Sequence, residues 1–88
     1  MFLANRALTM SVTMRSAMRR EPVDSSTLAS VGYDETQFLL ELEFRSGELY
    51  QYFGPPNNVH RELMTAESKG RFFNQNIRDH FPYVRLRA

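Results

Sequence analysis

Phe38-Leu39-Leu40-Glu41-Leu42-Glu43-Phe44-Arg45-Ser46-Gly47-Glu48-Leu49-Tyr50-Gln51-Tyr52-Phe53 reads as a β-hairpin. Its first half alternates with period two, which puts Phe38, Leu40, Leu42 and Phe44 on one face and Glu41 and Glu43 on the other. Arg45-Ser46-Gly47 turns the chain, and residues 48–53 return as a second strand. Two registers are open. A two-residue Ser46-Gly47 turn pairs Phe44 with Leu49 and sets Tyr50 and Tyr52 beside the two glutamates. A three-residue loop with Gly47 in the left-handed position pairs Phe44 with Glu48, and the tyrosines then join Leu40 and Leu42 in the core. The second is preferred. A one-residue slip exchanges the two faces, so the meaning of the tyrosine pair rests on this loop. Neither register favours the pair as a stacking platform for bases. In one the carboxylates repel phosphate, and in the other the rings are buried.

Working outward, residues 26–33 have β-compatible side chains, with Gly32 marking a bulge or strand end. Asp34-Glu35-Thr36 is a polar turn. After the hairpin, Gly54-Pro55-Pro56 ends the sheet strand, because proline cannot donate to a ladder. Val59, Leu63, Met64 and Ala66 form an apolar stripe near helical spacing. Ser68 caps a second helix, whose buried face is Phe72, Phe73 and Ile77, and Pro82 closes it. Residues 83–87 alternate again, with Val84 and Leu86 on one face and Tyr83, Arg85 and Arg87 on the other. Strands, then helices, then a strand predict an α+β fold. The expected architecture is a small antiparallel sheet of three strands plus a short C-terminal edge strand, with two helices packed on one face.

The chain has 88 residues, room for one domain, and it has no cysteine. No disulfide or thiolate metal site is available, which fits a reducing compartment and predicts a cytoplasmic protein. No apolar run approaches the roughly 18 residues of a membrane span. Charge is segregated. Residues 1–20 carry Arg6, Arg15, Arg19 and Arg20 and no acid, residues 21–57 are acidic, and residues 58–88 are basic again. An anionic partner should meet the ends and avoid the middle. Residues 1–20 read as a disordered extension or a mis-called start, with Met10, Met14 and Met18 as alternative starts and Met18 preferred. The domain proper is residues 21–88.

An ordered set of short motifs follows the same path: Pro22-Val23-Asp24-Ser25-Ser26, Val31-Gly32-Tyr33-Asp34, Phe44-Arg45-Ser46-Gly47, Tyr50-Gln51-Tyr52, Pro56, Leu63-Met64, Ala66, Ser68-Lys69-Gly70, and Phe73-Asn74-Gln75-Asn76-Ile77-Arg78. Together they resemble the KTSC domain, a module also seen at the C-terminus of some lysyl-tRNA synthetases. The resemblance spans about residues 22–86 and departs at Asp24, where a serine is usual. It implies a tyrosine-x-tyrosine signature, here Tyr50 and Tyr52, and a suggested role in RNA binding. It supplies no catalytic residues.

Three features carry functional readings. Ser68, Lys69, Gly70 and Arg71 open a helix, where free N–H groups and added cations suit a phosphate; the bland reading is a capped helix start. Tyr83, Arg85 and Arg87, with Lys69 and Arg78 nearby, form a basic and aromatic strip suited to single-stranded nucleic acid; the bland reading is a charged edge strand that blocks aggregation. Asn74 is expected to bond backbone inside the fold. His60 and His80 have no cysteine partners, so no metal is expected. Glu41 and Glu43 lie on an exposed face with no pocket, and no Ser/His/Asp grouping can be placed. The chain therefore reads as a non-catalytic binding module without cofactor. Its expected partner is RNA, met at the phosphates by Lys69, Arg71, Arg78, Arg85 and Arg87. The alternative is a protein partner, met by an exposed sheet edge or by an outward patch of Leu39, Leu49 and Phe53.

Overall fold

The computed structural model describes residues 18–87. The proposed starts Met10 and Met14, and most of the proposed N-terminal extension, lie outside the described residues. The elements are β1 (Glu21–Pro22), β2 (Leu28–Asp34), β3 (Leu39–Phe44), β4 (Leu49–Phe53), α1 (Asn57–Thr65), α2 (Lys69–Asn76) and β5 (Tyr83–Arg87). The sheet has the order β1-β2-β3-β4-β5, and every pairing is antiparallel. The α+β architecture is the expected one, with a short fifth strand, β1, added at the edge. β1 could not be read from the sequence because two residues containing a proline give no alternation.

The β3–β4 loop takes the three-residue form. The Phe44 N–H donates to the Glu48 carbonyl, the Gly47 N–H donates to the Phe44 carbonyl, and Gly47 has φ 102°. That conformation strains any residue with a Cβ. Leu42 therefore pairs with Tyr50 and Leu40 with Tyr52, so both tyrosines lie on the helix-bearing face. There Leu28, Val31, Leu40, Leu42 and Tyr52 pack against Leu63 of α1 and against Phe73 and Ile77 around α2. Phe73 is the hub of edge-to-face contacts, with ring centroids 5.2 Å from Phe44 and 5.7 Å from Tyr52. Such contacts add roughly 0.5–1.5 kcal/mol each beyond area burial.

Two local expectations are corrected. Gly32 neither ends a strand nor forms a bulge; it lies within β2 opposite Glu41, and the irregularity falls between Leu28 and Ser30. The glycine is needed for close approach. A Cβ there would sit 2.7 Å from the Arg19 carbonyl oxygen and 3.1 Å from Arg20 Cγ. The alternation expected over residues 83–87 is also interrupted. Tyr83 pairs with Tyr52, Val84 with Gln51 and Arg85 with Tyr50, but Arg87 pairs with Leu49 across a register shift. Tyr83 and Arg85 thus share the helix-bearing face.

The other face of the sheet holds the largest departure. Glu41 is 0% exposed rather than solvated. Arg20 Nη1 donates to Glu41 Oε2 at 2.5 Å, and Gln51 Nε2 donates to Glu41 Oε1 at 2.8 Å. Arg20 Nε also reaches Ser30 Oγ at 3.0 Å, and that hydroxyl donates to Glu43 Oε1 at 2.7 Å. A buried carboxylate persists only when it is paired and hydrogen-bonded, and Arg20 supplies the pairing and Gln51 the second hydrogen bond.

A candidate nucleic-acid cleft of three tyrosines

The hairpin register and the β4–β5 pairing bring Tyr50, Tyr52 and Tyr83 together. Ring centroids of Tyr83 lie 5.4 Å from Tyr50 and 5.5 Å from Tyr52, and those of Tyr50 and Tyr52 are 6.2 Å apart at 17°. The three rings, with Phe44 and Phe73, line an open cleft of about 300 Å³ whose polar lining is Glu48, Arg78 and Asp79. Tyr52, 4% exposed, is the floor, Tyr50 is half-buried, and Tyr83 is 55% exposed. The expectation that this register buries the pair is therefore met by Tyr52 and only half met by Tyr50. Burial pushes the Tyr52 phenol up to about 12, helped by Tyr50 and Tyr83 and opposed by Arg78.

Arg78 and Asp79 reach the cleft because α2 is capped at Ile77, whose N–H returns to the Phe73 carbonyl. The Arg78 N–H shares that carbonyl. Asp79 then takes φ 66°, a left-handed turn that Asp tolerates better than most residues. Arg78 Nη1 donates to Asn74 Oδ1 at 3.4 Å. Asn74 is thus an exposed partner of Arg78 rather than a bond to backbone inside the fold. Arg85 stands opposite Tyr50 on the same sheet face.

The residues singled out in the sequence separate into groups. Arg78 and Tyr83 line the cleft and Arg85 pairs with Tyr50 beside it, whereas Lys69 and Arg71 belong to the start of α2. There Ser68 Oγ accepts from the Arg71 N–H at 3.2 Å, and Lys69 Nζ donates to the Ala66 carbonyl at 3.2 Å. Gly70 is packed against the Thr27 side chain, so its missing Cβ serves a contact within the fold. The preferred register already set the Phe44–Glu48 pair on the face of the tyrosines, but sequence reasoning missed Phe73 and Asp79 as their neighbours. A polar Arg78-Asp79-His80 turn ahead of Pro82 was the one hint for Asp79. His60 stacks on Tyr33 with centroids 4.6 Å apart, and burial holds its pKa below the usual value. Among the described residues, no group of three or more His, Cys, Asp or Glu is placed to hold a metal ion. No helix there is long and apolar enough to cross a membrane.

The KTSC domain family matches residues 24–81, most of the described fold. The chain belongs to the KTSC family. A KTSC domain protein from Yersinia pestis, seen in a crystal structure, superposes with a TM-score of 0.73 at 46% identity, covering 77% of this chain and 96% of that one. The chain is also 46% identical over 70 residues to an uncharacterized protein of Stutzerimonas stutzeri (strain A1501), spanning 78% of this chain and 99% of that one. A lysine–tRNA ligase of Nostoc sp. (strain PCC 7120) is 40% identical over 63 residues, which is 72% of this KTSC chain and 11% of the ligase. The KTSC domain thus occurs both as a small protein and as a minor part of a synthetase.

Proposed function

We propose that this KTSC domain is an RNA-binding module that engages single-stranded segments at the tyrosine cleft. The observation that carries the reading is the convergence of Tyr50, Tyr52 and Tyr83 with Arg78 and Arg85 on one face. Aromatic faces take unstacked bases, each worth roughly 1–3 kcal/mol, while neighbouring cations hold phosphates. The likeness to part of a lysine–tRNA ligase supports RNA over other polyanions. Phosphate contact by Arg85 releases a counterion, so log K against log salt should fall with a slope of about −0.7, the value for one phosphate on a single strand. Fluorescence anisotropy with a labelled single-stranded RNA across a salt series measures this. Arg85→Ala should weaken binding and flatten the slope. Binding that is absent at low salt, or insensitive to salt, contradicts the reading.

A second reading, a protein-docking module, has one observation of its own. Phe53 and Val84 are 42% and 43% exposed, and Phe53 pairs with the half-buried Leu39 on the face opposite the cleft. Leu49, expected in that patch, is buried. Recovery of a protein from nuclease-treated extract by the wild type but not by Phe53→Ser would favour it.

A further inference from the structure

Arg78 and Asp79 are consecutive residues that line the same aromatic cleft. They present unlike chemistry side by side: a guanidinium that only donates and a carboxylate that only accepts. The guanidinium is steadied by Asn74. Among the described residues, no side-chain hydrogen bond or ion pair engages the Asp79 carboxylate, although its charge is close enough to raise the Tyr52 phenol. A cleft of about 300 Å³ lies at the small end of ligand pockets, roughly 300–1,000 Å³, the size for one base rather than a stack.

We infer that the cleft selects an unpaired guanine, stacked on Tyr83 and the half-buried Tyr50, with its O6 facing Arg78 and its N1–H and N2–H facing the Asp79 carboxylate. The inference rests on the RNA reading above and adds the identity of the base. The Watson–Crick edge of guanine offers one acceptor followed by two adjacent donors. A donor beside a two-oxygen acceptor complements that order. Adenine and cytosine each put a single amino group beside an acceptor, and uracil flanks one N–H with two carbonyls, so none of them satisfies both carboxylate oxygens. Glu48, on the same cleft, accepts from Ser46 Oγ at 3.3 Å and adds acceptor character to the site. It also disfavours a phosphate entering there, which leaves phosphates to Arg85 outside the cleft.

The test uses the full chain and labelled oligouridines that carry one central guanosine, inosine, adenosine or uridine, read by anisotropy. Guanosine should bind about tenfold tighter than adenosine or uridine, the range of a good bidentate base contact. Inosine, which lacks the N2 amino group, should lose much of that gain. Asp79→Asn should abolish the preference. Asparagine suits the left-handed backbone at this position, and an unchanged melting curve confirms the fold. Free guanosine monophosphate should compete only at much higher concentration, since it lacks flanking phosphates; competition at equal concentration would overturn the assignment to a base within a strand. Equal binding of all four oligomers, or a guanosine preference that survives Asp79→Asn, overturns the inference and leaves RNA binding standing. Failure of every oligomer to bind removes both.

Discussion

Glu41 shows how little of a residue's environment its own alternation conveys. Period two placed it opposite the core face, and that was right. What covers that face came from residues 19 and 20, some twenty positions away in the chain. Removing the Arg20 partner should leave a buried carboxylate bonded by Gln51 alone. Arg20→Ala is predicted to destabilise by roughly 2–4 kcal/mol, a little under the 3–5 kcal/mol of a fully buried pair because Arg20 retains some exposure; urea denaturation measures it. Leu42, 0% exposed in the core, should cost roughly 2–5 kcal/mol on truncation to alanine. Arg85→Ala, at an exposed position, should stay within about 0.5 kcal/mol. The contrast between Leu42 and Arg85 was legible from alternation alone. The fate of Glu41 was not, because it depends on a tertiary cover without periodicity.

At the scale of elements, the hairpin loop governs the site. A two-residue turn would send Tyr50 and Tyr52 to the Glu41 face and leave no cleft. Gly47→Ala keeps the loop's length but opposes φ 102°, and should cost about 1 kcal/mol. The same pairing predicts an alkaline transition. The Tyr52 phenol is raised from 10.0 to about 12 in the fold, so the neutral form is the one the fold favours. That stabilisation is complete below the unfolded value near 10 and is lost as pH rises through about 12. Stability should drop by roughly 2–3 kcal/mol across that window, and the phenolate absorbance of Tyr52 should appear only as pH approaches about 12. Tyr52→Phe should remove this transition. The two helices and three main strands were readable because each is long enough to show its period. The cleft was not, since it depends on which β4 residue faces which β5 residue, and the register shift beside Leu49 has no signal in residues 83–87.

For the whole molecule, charge segregation predicted an anionic partner at the two basic ends, residues 1–20 and 58–88, and the motifs narrowed the contacts to Lys69, Arg71, Arg78, Arg85 and Arg87. The fold divides that set. Lys69 and Arg71 stay with the start of α2, while Arg78 and Arg85 flank the tyrosines. The chain has four tyrosines and no tryptophan, and three of the four line the cleft. Chemical-shift mapping on labelled protein with a short single-stranded RNA is therefore the most direct test of the central claim. The account predicts that the largest amide perturbations fall on residues 48–52, 78–79 and 83–85, with little change at Leu39 and Phe53 on the opposite face. Perturbations confined to that opposite face, or to residues 68–71, would contradict it, as would a spectrum that RNA leaves unmoved.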